Sequence, residues 1–172
     1  MPALRSARRT DAAAVAALHI ASWRATYRGQ LPDAFLDYQS LAERTAEWEA
    51  RFGVPETHLL LVEDSETLLG FAAFGPSRDA DADPRVVWQL YNLHVLPERR
   101  GGGLGLPLFQ AAADQGAREG RERLTLWVVE QNWPARRFYQ RQGMHPDGAT
   151  QLHQLGPDVG LREVRYVRTL EA

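Results

Sequence analysis

The stretch Leu93-His94-Val95-Leu96-Pro97-Glu98-Arg99-Arg100-Gly101-Gly102-Gly103-Leu104-Gly105 decides how this chain is read. It predicts a strand, a glycine loop and a helix start in immediate succession. Glycine admits positive φ and lets a ligand come close to the main chain. Successive N–H groups aimed outward at a helix N-terminus make a pocket for phosphate oxygens. Arg99 and Arg100 add charges able to pair with a pyrophosphate. A tight turn that holds no ligand is the other reading the glycines leave open. Spacing excludes two common phosphate sites. A dinucleotide fingerprint needs glycine at its first, third and sixth positions, but counting from Gly101 or Gly103 the sixth residue is Leu106 or Leu108. A nucleoside-triphosphate loop needs a lysine, and the chain has none.

Outward from the loop, a helix is predicted from about Leu104 to Glu119, with Gly120 as its stop. Val86 to Val95, with Trp88, Leu90, Tyr91 and Leu93, is apolar on both sides and belongs inside a sheet. Leu124 to Val129 reads as a strand, and Pro134 to Gln142 as a helix with proline in its first turn and Gly143 at its end. Toward the N-terminus, Ala3 to Ala7 is a short strand, and Thr10-Asp11 opens a helix over Ala12 to Trp23. Gly29 and Pro32-Asp33 mark a loop with one helical turn through Phe35 and Leu36. The capping box Ser40-Leu41-Ala42-Glu43 then starts a helix to about Phe52. His58 to Val62 and Leu68 to Phe74, either side of Glu63-Asp64-Ser65-Glu66, predict an antiparallel hairpin. The acidic run Arg78 to Pro84 reads as a solvated connection. Gln151 to Leu155 and Val164 to Leu170 give two closing strands about Gly156-Pro157-Asp158. The sum is an α/β or α+β arrangement, one layer of sheet flanked by helices.

Composition narrows the function. A length of 172 residues suits one domain, and 44% hydrophobic with 24% charged residues excludes a disordered tail. Apolar stretches fall short of the roughly 18–20 residues of a bilayer span, and the start lacks a secretory apolar region. A cytoplasmic protein without membrane partners is expected. The absence of cysteine excludes disulfides, cysteine-based zinc sites and thiol catalysis. All 20 basic residues are arginine, which removes Schiff-base chemistry on lysine. A formal charge of −2 argues against nucleic acid as partner. The five histidines show no helical i, i+4 pairing, so no metal site is expected.

The segment Arg100-Gly101-Gly102-Gly103-Leu104-Gly105 resembles the acetyl-CoA loop of the GCN5-related N-acetyltransferases, the GNAT superfamily, in which Arg/Gln-x-x-Gly-x-Gly/Ala recurs. Asn132-Trp133-Pro134-Ala135-Arg136-Arg137-Phe138-Tyr139-Gln140-Arg141-Gln142-Gly143-Met144 is similar to that family's later segment, Asn-x-x-Ala-x-x-apolar-Tyr-x-x-x-Gly-apolar. Arg5-Ser6-Ala7 and Trp23 through Gly29 also resemble the start of many bacterial members. The resemblance implies a single acetyltransferase-like domain over 1–172, α/β (α+β), with a central mixed, mostly antiparallel sheet of about six or seven strands and about four helices. It implies acetyl-CoA as cosubstrate, no metal, and transfer to an amine by direct attack in a ternary complex. Leu93 and Val95 would offer backbone groups to the pantetheine arm and acetyl carbonyl. Arg100, Gly101, Gly103, Leu104 and Gly105 would hold the pyrophosphate region. Asn132 would contact the cofactor, and Tyr139 would return a proton to the departing thiolate. One of Arg136, Arg137 and Arg141 could reach the ribose 3′-phosphate. Trp23, Tyr27 and Tyr91 would line the acceptor site, for a small-molecule amine or a peptide N-terminus.

Such chemistry suits a thioester, which is already activated: alignment and oxyanion stabilisation supply most of what is needed. The chain departs from the family at Gln89, where many members place a basic glutamate; His94, Glu130, His19 or waters remain as alternatives. That departure keeps a second function in view, a CoA-binding sensor without catalysis. A phosphate-ligand domain unrelated to CoA is a third. Edge strands also offer a route to a homodimer.

Overall fold

The predicted hairpin forms as β2 (His58–Asp64) and β3 (Thr67–Pro76), antiparallel from His58↔Phe74 to Asp64↔Thr67. Ser65 and Glu66 turn the corner at φ 50° and 67°, the hand that matches strand twist in a two-residue turn. β3 is buried on both faces from Leu69 to Gly75, as an interior strand must be. The computed structural model describes residues 1–171, so Ala172 of the expected domain lies outside them. Seven strands form one mixed sheet in the order β1-β2-β3-β4-β5-β7-β6. β1 (Ala3–Ser6) pairs antiparallel with β2, and β4 (Val87–Val95) pairs parallel with β5 (Arg123–Val129). β7 (Val159–Thr169) runs antiparallel to both β5 and β6 (His145–Gly156). Packing gathers the chain into two units, residues 1–75 with 92–112, and residues 76–91 with those from 113 onward.

In the first unit, α1 (Ala12–Tyr27), α2 (Asp33–Asp37) and α3 (Leu41–Arg51) bury Val15, Leu36 and Trp48, and the strands bury Leu61 and Phe71. α3 starts where its capping signal lies: Ser40 Oγ accepts from the Glu43 N–H at 3.1 Å. The Arg5 guanidinium grips Asp11 at 2.8 and 3.0 Å and Glu63 at 2.8 Å, which ties β1 to the entry of α1. Gly70 sits where a Cβ would meet the His94 carbonyl at 2.8 Å, so the close approach of main chains there demands glycine.

The second unit holds β5, β6, β7, α5 (Trp133–Arg141) and the later half of α4 (Gly105–Arg118) around buried Trp88, Leu124, Leu126 and Tyr166. A Cβ on Gly116 would come within 2.6 Å of Trp88 Cδ1 and 2.9 Å of Leu170 Cδ1, so this helix face is notched to receive an indole.

Five α-helices form among the described residues, the expected turn through Phe35 and Leu36 closing as α2. Two expectations are corrected. β6 begins at His145 rather than Gln151; a register shift between Pro146 and Thr150 lets the strand absorb a proline and a glycine. The acidic connection is moored rather than merely solvated. Arg165 on β7 pairs with Asp79 at 3.1 Å, Asp81 at 2.7 Å and Asp147 at 2.7 Å, and the Trp127 indole N–H donates to Asp79 at 2.9 Å.

Candidate active site

In the first unit the glycine segment follows β4 through a single 3-10 turn, Pro97–Arg99. Gly101 and Gly103 adopt φ 77° and 82°, and a Cβ at either would meet nothing within 4 Å. Their requirement for glycine is therefore conformational, not steric. Gly102 keeps ordinary φ, with space limited by the Arg99 carbonyl at 3.2 Å. Leu104 is buried, anchoring the loop's far end, and α4 starts at Gly105. Pro107 lies in the first turn of α4 and does not interrupt it. Leu93 and Val95 are half-buried on the closing half of β4. The β4–β5 register runs only from Val87↔Arg123 to Leu90↔Leu126, so both residues lie past the paired stretch.

Arg100 is engaged within the unit. One of its terminal nitrogens donates to the Ser22 carbonyl at 3.1 Å, Ser22 Oγ at 3.0 Å and Thr26 Oγ1 at 3.0 Å, all on α1. Ser22 Oγ also lies 2.8 Å from His94 Nδ1. The hydroxyl accepts from Arg100 and shares a second hydrogen bond with the His94 ring. His94 stacks obliquely on His19 at 4.7 Å. Trp48 Nε1–H donates to His19 Nδ1 at 3.2 Å, so the neutral His19 ring carries its proton on Nε2. Burial pushes His19 down to about 2, helped by His94, and His94 down to about 3, helped by Arg100. Both rings are neutral and weakly basic. Trp23 and Tyr27 come together on α1, ring centres 4.8 Å apart, with Tyr27 buried. Sequence reading missed Ser22 and Thr26; their i, i+4 spacing on α1 was the available signal.

In the second unit, Tyr91 donates its hydroxyl to the Pro76 carbonyl, and the Arg78 guanidinium lies 3.6 Å over its ring. Gln89 is 7% exposed and its Oε1 accepts the Arg78 N–H at 2.7 Å, a structural bond on β4. Asn132 caps α5: its Oδ1 accepts the Ala135 N–H at 3.3 Å. Tyr139, on the same helix, is 9% exposed, with its ring edge-on to Phe138 at 5.3 Å. Glu130 faces Arg162 at 3.4 Å and is partly exposed. No group of three or more metal-ligating side chains occurs among the described residues, and no helix there is long and apolar enough to cross a membrane.

A family model described as Acetyltransferase (GNAT) family matches residues 18–144. Among curated relatives, the Uncharacterized N-acetyltransferase YuaI of Bacillus subtilis is 31% identical over 142 residues, 81% of this chain and 78% of that protein. YhfO of the same organism, named likewise, is 31% identical over 144 residues, covering 84% and 90%. In fold, the chain matches PaiA N-acetyltransferase from Thermoplasma acidophilum, solved with coenzyme A, at TM-score 0.73 and 16% identity over 98% of this chain and 99% of that one.

Proposed function

Because the chain belongs to the GNAT acetyltransferase family, we propose that it moves the acetyl group of acetyl-CoA to an amine by direct attack in a ternary complex. The observation that carries this reading is the turn itself: Gly101 and Gly103 at positive φ, opening directly into α4. Exposed glycine amides ahead of a helix N-terminus suit a pyrophosphate without help from a metal. With the Arg100 guanidinium committed to α1, main-chain N–H groups rather than that side chain would carry most of the phosphate contact. Leu93 and Val95, past the β4–β5 ladder, would supply main-chain groups to the pantetheine arm and the acetyl carbonyl.

In the reaction the amine lone pair attacks the thioester carbonyl carbon. The carbonyl oxygen takes negative charge, stabilised by strand N–H groups, and the C–S bond then breaks. Tyr139 O–H would protonate the leaving thiolate, whose ordinary pKa near 8.5 is close enough for a phenol to serve. Among the described residues no buried carboxylate stands ready as base: Gln89 cannot accept a proton, and His19 and His94 are weakly basic with Nδ1 occupied. The amine would therefore arrive neutral and lose its proton to water. Acceptors are amines of a small molecule or a peptide N-terminus, approached past Trp23 and Tyr27.

The test is acetyl-CoA turnover against a panel of amines across pH 6–9, with Tyr139→Phe as control. Rates that climb with pH along each amine's own titration support the reading. One observation favours a second reading, a CoA-binding sensor: Gln89 stands bonded to Arg78 at the position where the family resemblance implies a basic glutamate. Tight CoA binding with transfer to no amine would decide for the sensor.

A further inference from the structure

β6 ends the sheet and pairs with β7 alone among the described strands, so one of its edges offers unpaired main-chain groups. Its ladder with β7 is regular over residues 150–154, bracketed by register shifts between Pro146 and Thr150 and between Gln154 and Gly156. Gln151, Leu152, His153 and Gln154 are all exposed, although successive strand residues point to opposite faces, so neither face of this stretch is covered. Leu152, at its centre, is 64% exposed. No Asp, Glu or Arg occurs over residues 148–156, so the stretch lacks the charges by which edge strands resist pairing with another chain.

The segment Gly148-Ala149-Thr150-Gln151-Leu152-His153-Gln154-Leu155-Gly156 also reads alike in both directions about Leu152. Gly148 matches Gly156, Ala149 matches Leu155, Thr150 matches Gln154 and Gln151 matches His153: apolar with apolar, polar with polar. Two identical antiparallel strands related by a two-fold axis need that property, because residue i of one copy meets j of the other and j meets i. We propose that the free edge of β6 binds a second copy of this chain, antiparallel, with Leu152 at the two-fold axis. The two Leu152 side chains then cover each other, since directly opposite residues have Cβ atoms about 4.5–5.5 Å apart. On that face Thr150 stands opposite Gln154 of the second copy; on the other, Gln151 stands opposite His153, amide to imidazole. The flanking register shifts end the ladder on both sides, and the two-fold uses up the edge, so the assembly closes as a dimer and does not grow into a filament. A seam that short belongs to the weak, reversible class of association.

Sedimentation of the full chain from about 1 µM to about 1 mM tests this, with cysteine cross-linking as a second measurement. The parent is expected to pass from monomer to dimer over that range. Leu152→Asp places two like charges at the axis; the site is exposed, so the variant should fold as the parent does while dimerising about tenfold more weakly. The chain has no cysteine, so each introduced thiol reports alone. Under mild oxidation Leu152→Cys should form a disulfide-linked dimer. Thr150→Cys and Gln154→Cys should link when mixed with each other, and neither should link with itself. A parent that stays monomeric throughout overturns the proposal, as does a dimer that Leu152→Asp leaves equally strong. So does Leu152→Cys linking no faster than Asp114→Cys, an exposed position on α4, or Thr150→Cys linking with itself.

Discussion

The Arg100 guanidinium lies 3.0 Å from the Ser22 hydroxyl, 78 positions earlier in the chain. That contact turns a loop arginine into a tie between the glycine segment and α1, and Ser22 extends it to His94 on β4. Removing the hydroxyl leaves a half-buried guanidinium and an imidazole nitrogen short of a partner. Ser22→Ala should cost about 1–2 kcal/mol in urea unfolding. A variant as stable as the parent would show that the tie contributes nothing.

Gly101 and Gly103 are held at φ 77° and 82°. Alanine there meets open space but strains the main chain by about 1–2 kcal/mol at each position. The expected result is a modest drop in stability and at least tenfold weaker CoA binding by calorimetry, because the loop relieves its strain by turning its amides. Arg100→Gln should weaken CoA less than Gly103→Ala does. The reverse order would return the phosphate contact to the guanidinium.

Tyr139→Phe removes only the hydroxyl from a ring that is 9% exposed, so the fold should stand. Loss of a general acid predicts a fall in kcat of about a hundredfold with the CoA dissociation constant unchanged. If kcat holds while affinity falls, Tyr139 is a binding residue rather than a proton donor.

His19 and His94 are buried neutral, near 2 and 3 against an ordinary 6.5. Above pH 6.5 neither state of the protein takes up these protons. Below it the unfolded chain does and the folded chain does not, so stability falls as pH falls from 6.5 toward 3. Each ring contributes up to about 1.4 kcal/mol per pH unit over that window. Urea unfolding at pH 6.5 and 5 should show a smaller acid loss for His94→Asn than for the parent. Equal losses would mean that the rings protonate without hindrance in the fold.

Arg165 faces Asp79, Asp81 and Asp147, and its own side chain is 13% exposed. Arg165→Met leaves the three carboxylates to repel one another in a half-buried setting. Unfolding by urea at pH 7 should show a loss of about 3 kcal/mol. The partner carboxylates hold the Arg165 guanidinium above its ordinary value, with Asp81 the largest contributor, so parent and variant should converge only where acid neutralises the aspartates.

Local signals carried much of the architecture. The capping box at Ser40, the turn at Ser65–Glu66 and the glycine stops at Gly120 and Gly143, both at positive φ, all depend on a few neighbouring residues, and all were legible. The first half of β6 was not, because Pro146, Asp147 and Gly148 carry turn chemistry and only pairing with β7 overrides it. Nor was the mooring of the acidic connection, since Arg165 and Asp81 are 84 positions apart. For the site, the glycine loop and α5 stood out by motif. The engagement of Arg100 did not: its partners Ser22 and Thr26 are ordinary helix residues until the fold brings a charge to them.

The notch at Gly116 reaches further than its own packing. An indole seated against a bare Cα admits one angular setting of α4 about its long axis, because turning the helix by a single residue would replace that gap with a side chain. The azimuth of the helix's later half, from Arg118 back to Ala113, is thereby indexed by one missing methyl.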